Sequence, residues 1–113
     1  MFSTNQNKYK LFNEDALSLL SRLPNSSIDL ILTDPPYNIA LNSTGNIKLT
    51  NGKTINNDIA EWDKYSINPL DYVKDFKRVI SPKGNIFIFT SYSLLGKWHE
   101  AFDKEFKTFQ IFV

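Results

Sequence analysis

With 113 residues, 42% of them hydrophobic and 14% aromatic, the chain has the size of one packed domain or a piece of a larger one, and is too short for a multidomain machine. That apolar content excludes wholesale disorder, no apolar run reaches the roughly 18 residues needed to span a membrane, and the lack of cysteine excludes a disulfide framework or a thiolate metal site. Thirteen basic against twelve acidic residues leave a net charge of +1, which neither suggests nor forbids a nucleic-acid partner. Met1 to Gln6 lack the charged-then-apolar order of a signal peptide, so a soluble, cytoplasmic protein is expected.

In chain order, Lys8 to Phe12 is a short candidate strand. Asp15 stands as an N-cap before Ala16, Leu19, Leu20 and Leu23, which share a helical face, and Pro24-Asn25 ends that helix. Ile28 to Thr33 is an apolar run of strand length, of the kind suited to a strand covered on both faces. Asn38 to Asn68 shows little periodicity and predicts a long, mobile loop, too long for a passive connection. Between Pro35 and Asn57 there is no acidic residue, while Lys48 and Lys53 lie inside the stretch.

Asn68 and Pro69 supply cap and first-turn signals for a second helix, whose buried face would be Tyr72, Val73, Phe76, Val79 and Ile80. The turn Ser81-Pro82-Lys83-Gly84 leads into Asn85 to Thr90, the strongest strand signal in the chain. Leu94, Leu95, Trp98, Ala101 and Phe102 predict a third helix, and Thr108 to Val113 a last strand. The order β-α-β-loop-α-β-α-β argues for an α/β fold with a mostly parallel sheet and right-handed crossovers.

Ligands of open parallel sheets bind outside the carboxyl ends of the strands, and Asp34-Pro35-Pro36-Tyr37 sits at such an end. Thr33-Asp34-Pro35-Pro36-Tyr37-Asn38-Ile39 resembles the catalytic motif of the amino-group DNA methyltransferases. Glu14-Asp15-Ala16-Leu17, Leu23-Pro24 and Ile28-Asp29-Leu30 resemble that family's lead-in, and Arg78-Val79-Ile80-Ser81-Pro82-Lys83-Gly84-Asn85 its turn before an apolar strand. The resemblance runs across nearly the whole chain. It implies a partial Rossmann-like methyltransferase sheet, S-adenosylmethionine as cofactor and double-stranded DNA as substrate.

The chemistry suits these residue types. An exocyclic amine of adenine or cytosine is a poor nucleophile because its lone pair is delocalised into the ring. Two acceptors aimed at its N–H groups favour a tetrahedral nitrogen with a localised lone pair. The resemblance gives Asp34 and the Pro35 carbonyl that role, and Asp34 would also lie at the cofactor. Pro36 and Pro35 each keep the preceding residue extended. Tyr37 offers a face on which a flipped base could stack. The motif's structural alternative is a strand ended by Pro-Pro, with Tyr37 packed at the rim.

Other positions keep two readings. Asp15 matches the family's acidic position near the adenine end of the cofactor, and is equally a helix N-cap. Ser91 and Tyr92 either line the base pocket or form a strand-end turn. Lys48 and Lys53 either track phosphates or lie on a solvated loop. Trp62 reads as a packing anchor, and His99, the single histidine, as a surface or partly packed residue with no metal role.

The family holds its cofactor with a Phe-x-Gly-x-Gly loop, yet none of the four glycines here pairs with another at two-residue spacing. In the β-type branch the catalytic half precedes the cofactor half. Residues 1–113 are therefore expected to be an N-terminal catalytic portion lacking its C-terminal cofactor-binding portion: a truncated or split fragment, inactive alone. Its partners would be a second polypeptide half or a cognate restriction endonuclease. Asp at the first motif position leans to adenine N6 as target. The alternatives are cytosine N4 and a non-catalytic nucleic-acid-binding remnant of the fold.

Overall fold

The computed structural model of the chain describes residues 2–3, 9–38, 46–56, 66–107 and 110–111. Its elements are β1 (Phe2–Ser3), β2 (Lys10–Leu11), α1 (Ala16–Arg22), β3 (Ile28–Thr33), β4 (Asn46–Lys48), β5 (Thr54–Asn56), α2 (Pro69–Val79), β6 (Ile80–Ile88) and α3 (Tyr92–Glu105). The α/β expectation holds: β3 and β6 pair in parallel, with α2 on the connection between them.

Short-range chemistry sets the helix ends. Asp15 caps α1, its Oδ1 accepting from the Ser18 N–H at 3.1 Å. Asn68 caps α2, its Oδ1 accepting from the Leu70 N–H at 3.3 Å, and Pro69 fills the first turn, where a missing N–H costs nothing. Arg22 in the last turn of α1 returns to Glu14, donating to both carboxylate oxygens at 2.5 Å; this holds the Glu14 carboxyl below its usual range. Arg78, near the end of α2, ties the two helices together. It donates to the Leu23 carbonyl at 2.7 Å, the Leu20 carbonyl at 2.6 Å and Asn25 Oδ1 at 3.1 Å, while its own carbonyl accepts from the Ser26 N–H at 2.9 Å. With Nε also donating to Asp75 Oδ1 at 3.3 Å, four acceptors share the forked, five-donor guanidinium, one more than a lysine ammonium could serve.

The core lies where helical period meets strand period. Val73, Phe76 and Val79 of α2 and Leu94, Trp98 and Ala101 of α3 are buried, spaced at three or four residues on one face of each helix. Ile31 of β3 and Ile86 and Ile88 of β6 pack onto this cluster from the sheet, and Leu20 of α1 joins it from the side. The intervening strand residues point away. Leu30, Leu32, Phe87 and Phe89 are 54%, 63%, 48% and 60% exposed. The apolar run of β3 suggested cover on both faces; the described helices cover one.

Register explains the turn before the strong strand. Ile28 pairs with Ile80 and Leu30 with Asn85, so Ser81–Gly84 bulges out of the ladder and the strand resumes at Asn85. Ser81 Oγ ties the bulge to β3 by donating to Asp29 Oδ1 at 2.8 Å. Glycine is needed where the bulge closes. A Cβ on Gly84 would stand 2.6 Å from Ile80 Cγ1 and Cδ1 and 3.1 Å from the Asp29 carbonyl oxygen. Gly84→Ala is expected to cost about 1–3 kcal/mol through this overpacking. A lowered urea midpoint would show it, and an unchanged midpoint would mean that the bulge shifts freely.

Other elements depart from the sequence pattern. The stretch read as a long loop holds a β-hairpin: Asn46↔Asn56, Ile47↔Ile55 and Lys48↔Thr54 pair antiparallel. Its turn closes through the Leu49 N–H on the Lys53 carbonyl at 2.8 Å, with Gly52 at φ +80°, where a side chain would be strained. Residues 39–45 and 57–65 of that stretch lie outside the described residues. The first strand is shorter than expected and pairs antiparallel with β1, apart from the parallel sheet. Ile80 opens β6 instead of ending α2. Of the strand expected at Thr108 to Val113, Gln110 and Ile111 belong to no strand, and the others lie outside the described residues.

Candidate active site

Because β3 and β6 are parallel, their carboxyl ends lie side by side, and the Phe89 N–H extends the ladder by donating to the Thr33 carbonyl at 3.0 Å. Two loop starts meet there: Asp34-Pro35-Pro36-Tyr37-Asn38 after β3, and Thr90-Ser91 before α3. Asp34 is exposed, Pro35 to Asn38 are half-buried, and the two prolines leave the chain no N–H with which to prolong pairing. The motif therefore ends the strand and presents its carboxylate to solvent at the sheet's edge.

Tyr37 folds back on this carboxylate, its hydroxyl donating to Asp34 Oδ1 at 2.6 Å. That bond, then burial and the Asp34 charge, raise the Tyr37 phenol above its ordinary value, because ionising it would set two anions against each other. The sign follows: whatever stability the contact supplies is present at neutral pH and is lost as pH rises through the raised phenol pKa. Ser91 Oγ donates to the Tyr37 carbonyl at 3.5 Å and shares a hydrogen bond with Ser93 Oγ at 2.9 Å, joining the end of β6 to the motif.

Asn38 closes the group. Its backbone is left-handed, φ +60°, and its side-chain amide meets the backbone of Ile67, just before the cap of α2. Asn38 Nδ2 donates to the Ile67 carbonyl at 3.1 Å, and the Ile67 N–H donates to Asn38 Oδ1 at 2.9 Å. Sequence reasoning placed Asn38 inside the motif without giving it a role. The available signal was asparagine directly after Pro-Pro-Tyr, since Asn is enriched among non-glycine residues in the left-handed region.

Asp34, Pro35, Pro36, Tyr37 and Ser91 are thus brought together. Tyr92 is not among them: at 94% exposed it stands in solvent as the first residue of α3. Asp15 acts as the α1 cap, and its charge, after burial itself, helps to raise the phenol of Tyr72 on α2. Lys48 and Lys53 belong to one hairpin, Lys48 in β4 and Lys53, exposed, directly before β5. His99 lies exposed on α3, and Trp62 lies outside the described residues.

Comparison with known proteins places the sequence in a family. The sequence model of the N6/N4 DNA methylase family matches residues 28–112. The type II methyltransferase M2.DpnII of Streptococcus pneumoniae is 31% identical over 90 residues, covering 74% of this chain and 32% of that protein. For M.HinfI of Haemophilus influenzae the figures are 33% over 85 residues, 69% of this chain and 23% of that protein. For M.HpaI of Haemophilus parainfluenzae they are 28% over 96 residues, 85% and 27%. The chain therefore spans a third or less of these relatives' length. The matched segment runs from β3 through α2, β6 and α3 and contains the Asp-Pro-Pro-Tyr edge; the chain belongs to the N6/N4 family of DNA methylases.

Proposed function

We propose that this chain supplies the base-facing part of a DNA methyltransferase that transfers a methyl group from S-adenosylmethionine to N6 of adenine in double-stranded DNA. The observation that carries the reading is Asp34: a solvent-facing carboxylate held at the joint carboxyl edge of β3 and β6, directly before two prolines. With Tyr37 on Oδ1, Oδ2 is the oxygen offered to one N–H of the target amine. The Pro35 carbonyl takes the other. Together they draw the nitrogen toward a tetrahedral form whose lone pair can attack. Asp34 acts electrostatically and forms no covalent bond. A base reaches this edge only when flipped out of the duplex, and the Tyr37 ring beside Asp34 provides a surface for it. Lys48 and Lys53, on one hairpin, are proposed to meet phosphates.

S-adenosylmethionine, when bound, supplies an electrophilic methyl on a sulfonium. This chain's own groups fit it only in part. Asp34 and Asp15 offer carboxylates, but Asp15 Oδ1 is already engaged by the Ser18 N–H, and the sequence holds no paired glycines to bring backbone close to the cofactor. We infer that residues 1–113 act as an N-terminal catalytic portion. The cofactor grip would come from further polypeptide, with a cognate restriction endonuclease as a functional companion.

The test mixes the purified chain with a candidate second half, double-stranded DNA and methyl-labelled cofactor. Label should appear as N6-methyladenine in digested DNA with both parts present and not with this chain alone. N4-methylcytosine would replace the adenine assignment. Transfer by the 113-residue chain alone would overturn the incomplete-site reading.

A further inference from the structure

We propose that Asn38 is the positioning residue of this site: its side-chain amide, locked onto the backbone of Ile67, fixes how Tyr37 and Asp34 leave β3. The inference rests on the reading of Asp34 as the base-facing group and gives that group its support. Four observations converge on one side chain. Asn38 holds φ +60°, a conformation most side chains avoid and asparagine tolerates. Its amide makes two opposed hydrogen bonds to a single residue, at 3.1 and 2.9 Å, using its donor and its acceptor together. Both bonds are part-buried, where exchange with water is weaker competition than at the exposed Tyr37–Asp34 contact. And Asn38 directly follows Tyr37, whose carbonyl is held by Ser91 and whose hydroxyl is held by Asp34.

No other common side chain reproduces this set. Aspartate keeps the acceptor for the Ile67 N–H but sets a negative oxygen against the Ile67 carbonyl. Glycine keeps the positive φ and loses both bonds. Alanine loses the bonds and resists the φ. The clamp also closes the whole 39–66 stretch at its base, across 29 positions of sequence. One amide thus sets the exit of β3 against the residue before the cap of α2.

The experiment uses the full 113-residue chain with ring-labelled tyrosine, Tyr37 being assigned by the signal lost in Tyr37→Phe. Its phenol titration is followed by NMR in the parent and in Asn38→Gly, Asn38→Asp and Asp34→Asn, beside urea unfolding of each. The parent Tyr37 should titrate above an ordinary tyrosine. Asp34→Asn should bring it down, Asn38→Gly should bring it down nearly as far without unfolding the chain, and Asn38→Asp should lie between. If Asn38→Gly lowers the urea midpoint but leaves the Tyr37 titration at the parent value, Asn38 is merely structural and the proposal is overturned. A parent Tyr37 that titrates as an ordinary tyrosine overturns it too. These readings need neither cofactor nor DNA, so a failed methyl-transfer assay leaves them standing. In the reconstituted enzyme Asn38→Gly should then lower kcat by about a hundredfold with KM for DNA little changed, the pattern of a misplaced reacting group.

Discussion

Asp34→Asn should lower methyl transfer by the reconstituted enzyme by about a hundred- to a thousandfold, almost entirely in kcat. The substitution keeps the size and shape of the side chain and one acceptor oxygen, so the Tyr37 hydroxyl still has a partner where it now donates at 2.6 Å. It removes the negative charge and puts an NH2 donor where the proposed mechanism needs an acceptor facing the amine. The magnitude follows from deleting one preorganised group aimed at charge that develops only in the transition state. Because the amine gains its positive character during attack, DNA binding should change little, and KM should stay within a few-fold. Asp34 is exposed, so folding should survive: the variant's unfolding free energy from urea titration is expected within about 0.5 kcal/mol of the parent's. Undiminished transfer by a folded Asp34→Asn protein would remove Asp34 from its role, whatever the family resemblance.

This prediction could be written from the sequence because the motif, the strand before it and the helix after it are specified locally. Asp15 and Asn68 cap their helices through bonds spanning two or three residues, and the apolar spacing in α2 and α3 selects Val73, Phe76, Leu94, Trp98 and Ala101 for the core. What stayed illegible depends on distant partners. The two bonds of Asn38 are to a residue 29 positions away, and Arg78 finds the Leu20 and Leu23 carbonyls 58 and 55 positions back. No periodicity encodes either. The hairpin was hidden for a different reason: strands of three residues are too short for alternation to register. Yet Asn51-Gly52 was a turn signal of the right kind, and Gly52 does take the positive φ that such turns require. The exposed outer face of the sheet was also beyond reach, since an apolar run reads alike whether or not a second layer covers it.

That outer face gives the second large effect its meaning. Phe76→Ala should destabilise the chain by about 3–5 kcal/mol, the usual loss for emptying a buried aromatic site. Phe76 is 5% exposed, lies in the cluster of Val73, Leu94 and Trp98, and has the Tyr72 ring 6.2 Å from its own. Alanine leaves a void where α2 meets α3 over the sheet, and the surrounding side chains relax into it only in part. Small domains have only about 5–15 kcal/mol in total, and a sheet that the described residues cover on one face gives up part of the burial that would place a chain high in that range. Phe76→Ala is therefore expected to be largely unfolded at 37 °C, seen as a lost urea transition and lost near-ultraviolet dichroism. Leu32→Ala is the matched control. Leu32 lies in the same fold, on β3, but is 63% exposed, and its replacement should move stability by no more than about 0.5 kcal/mol. A Leu32→Ala loss approaching that of Phe76→Ala would show that Leu30, Leu32, Phe87 and Phe89 are covered in solution. The one-sided sheet would then have to be replaced by a two-sided one.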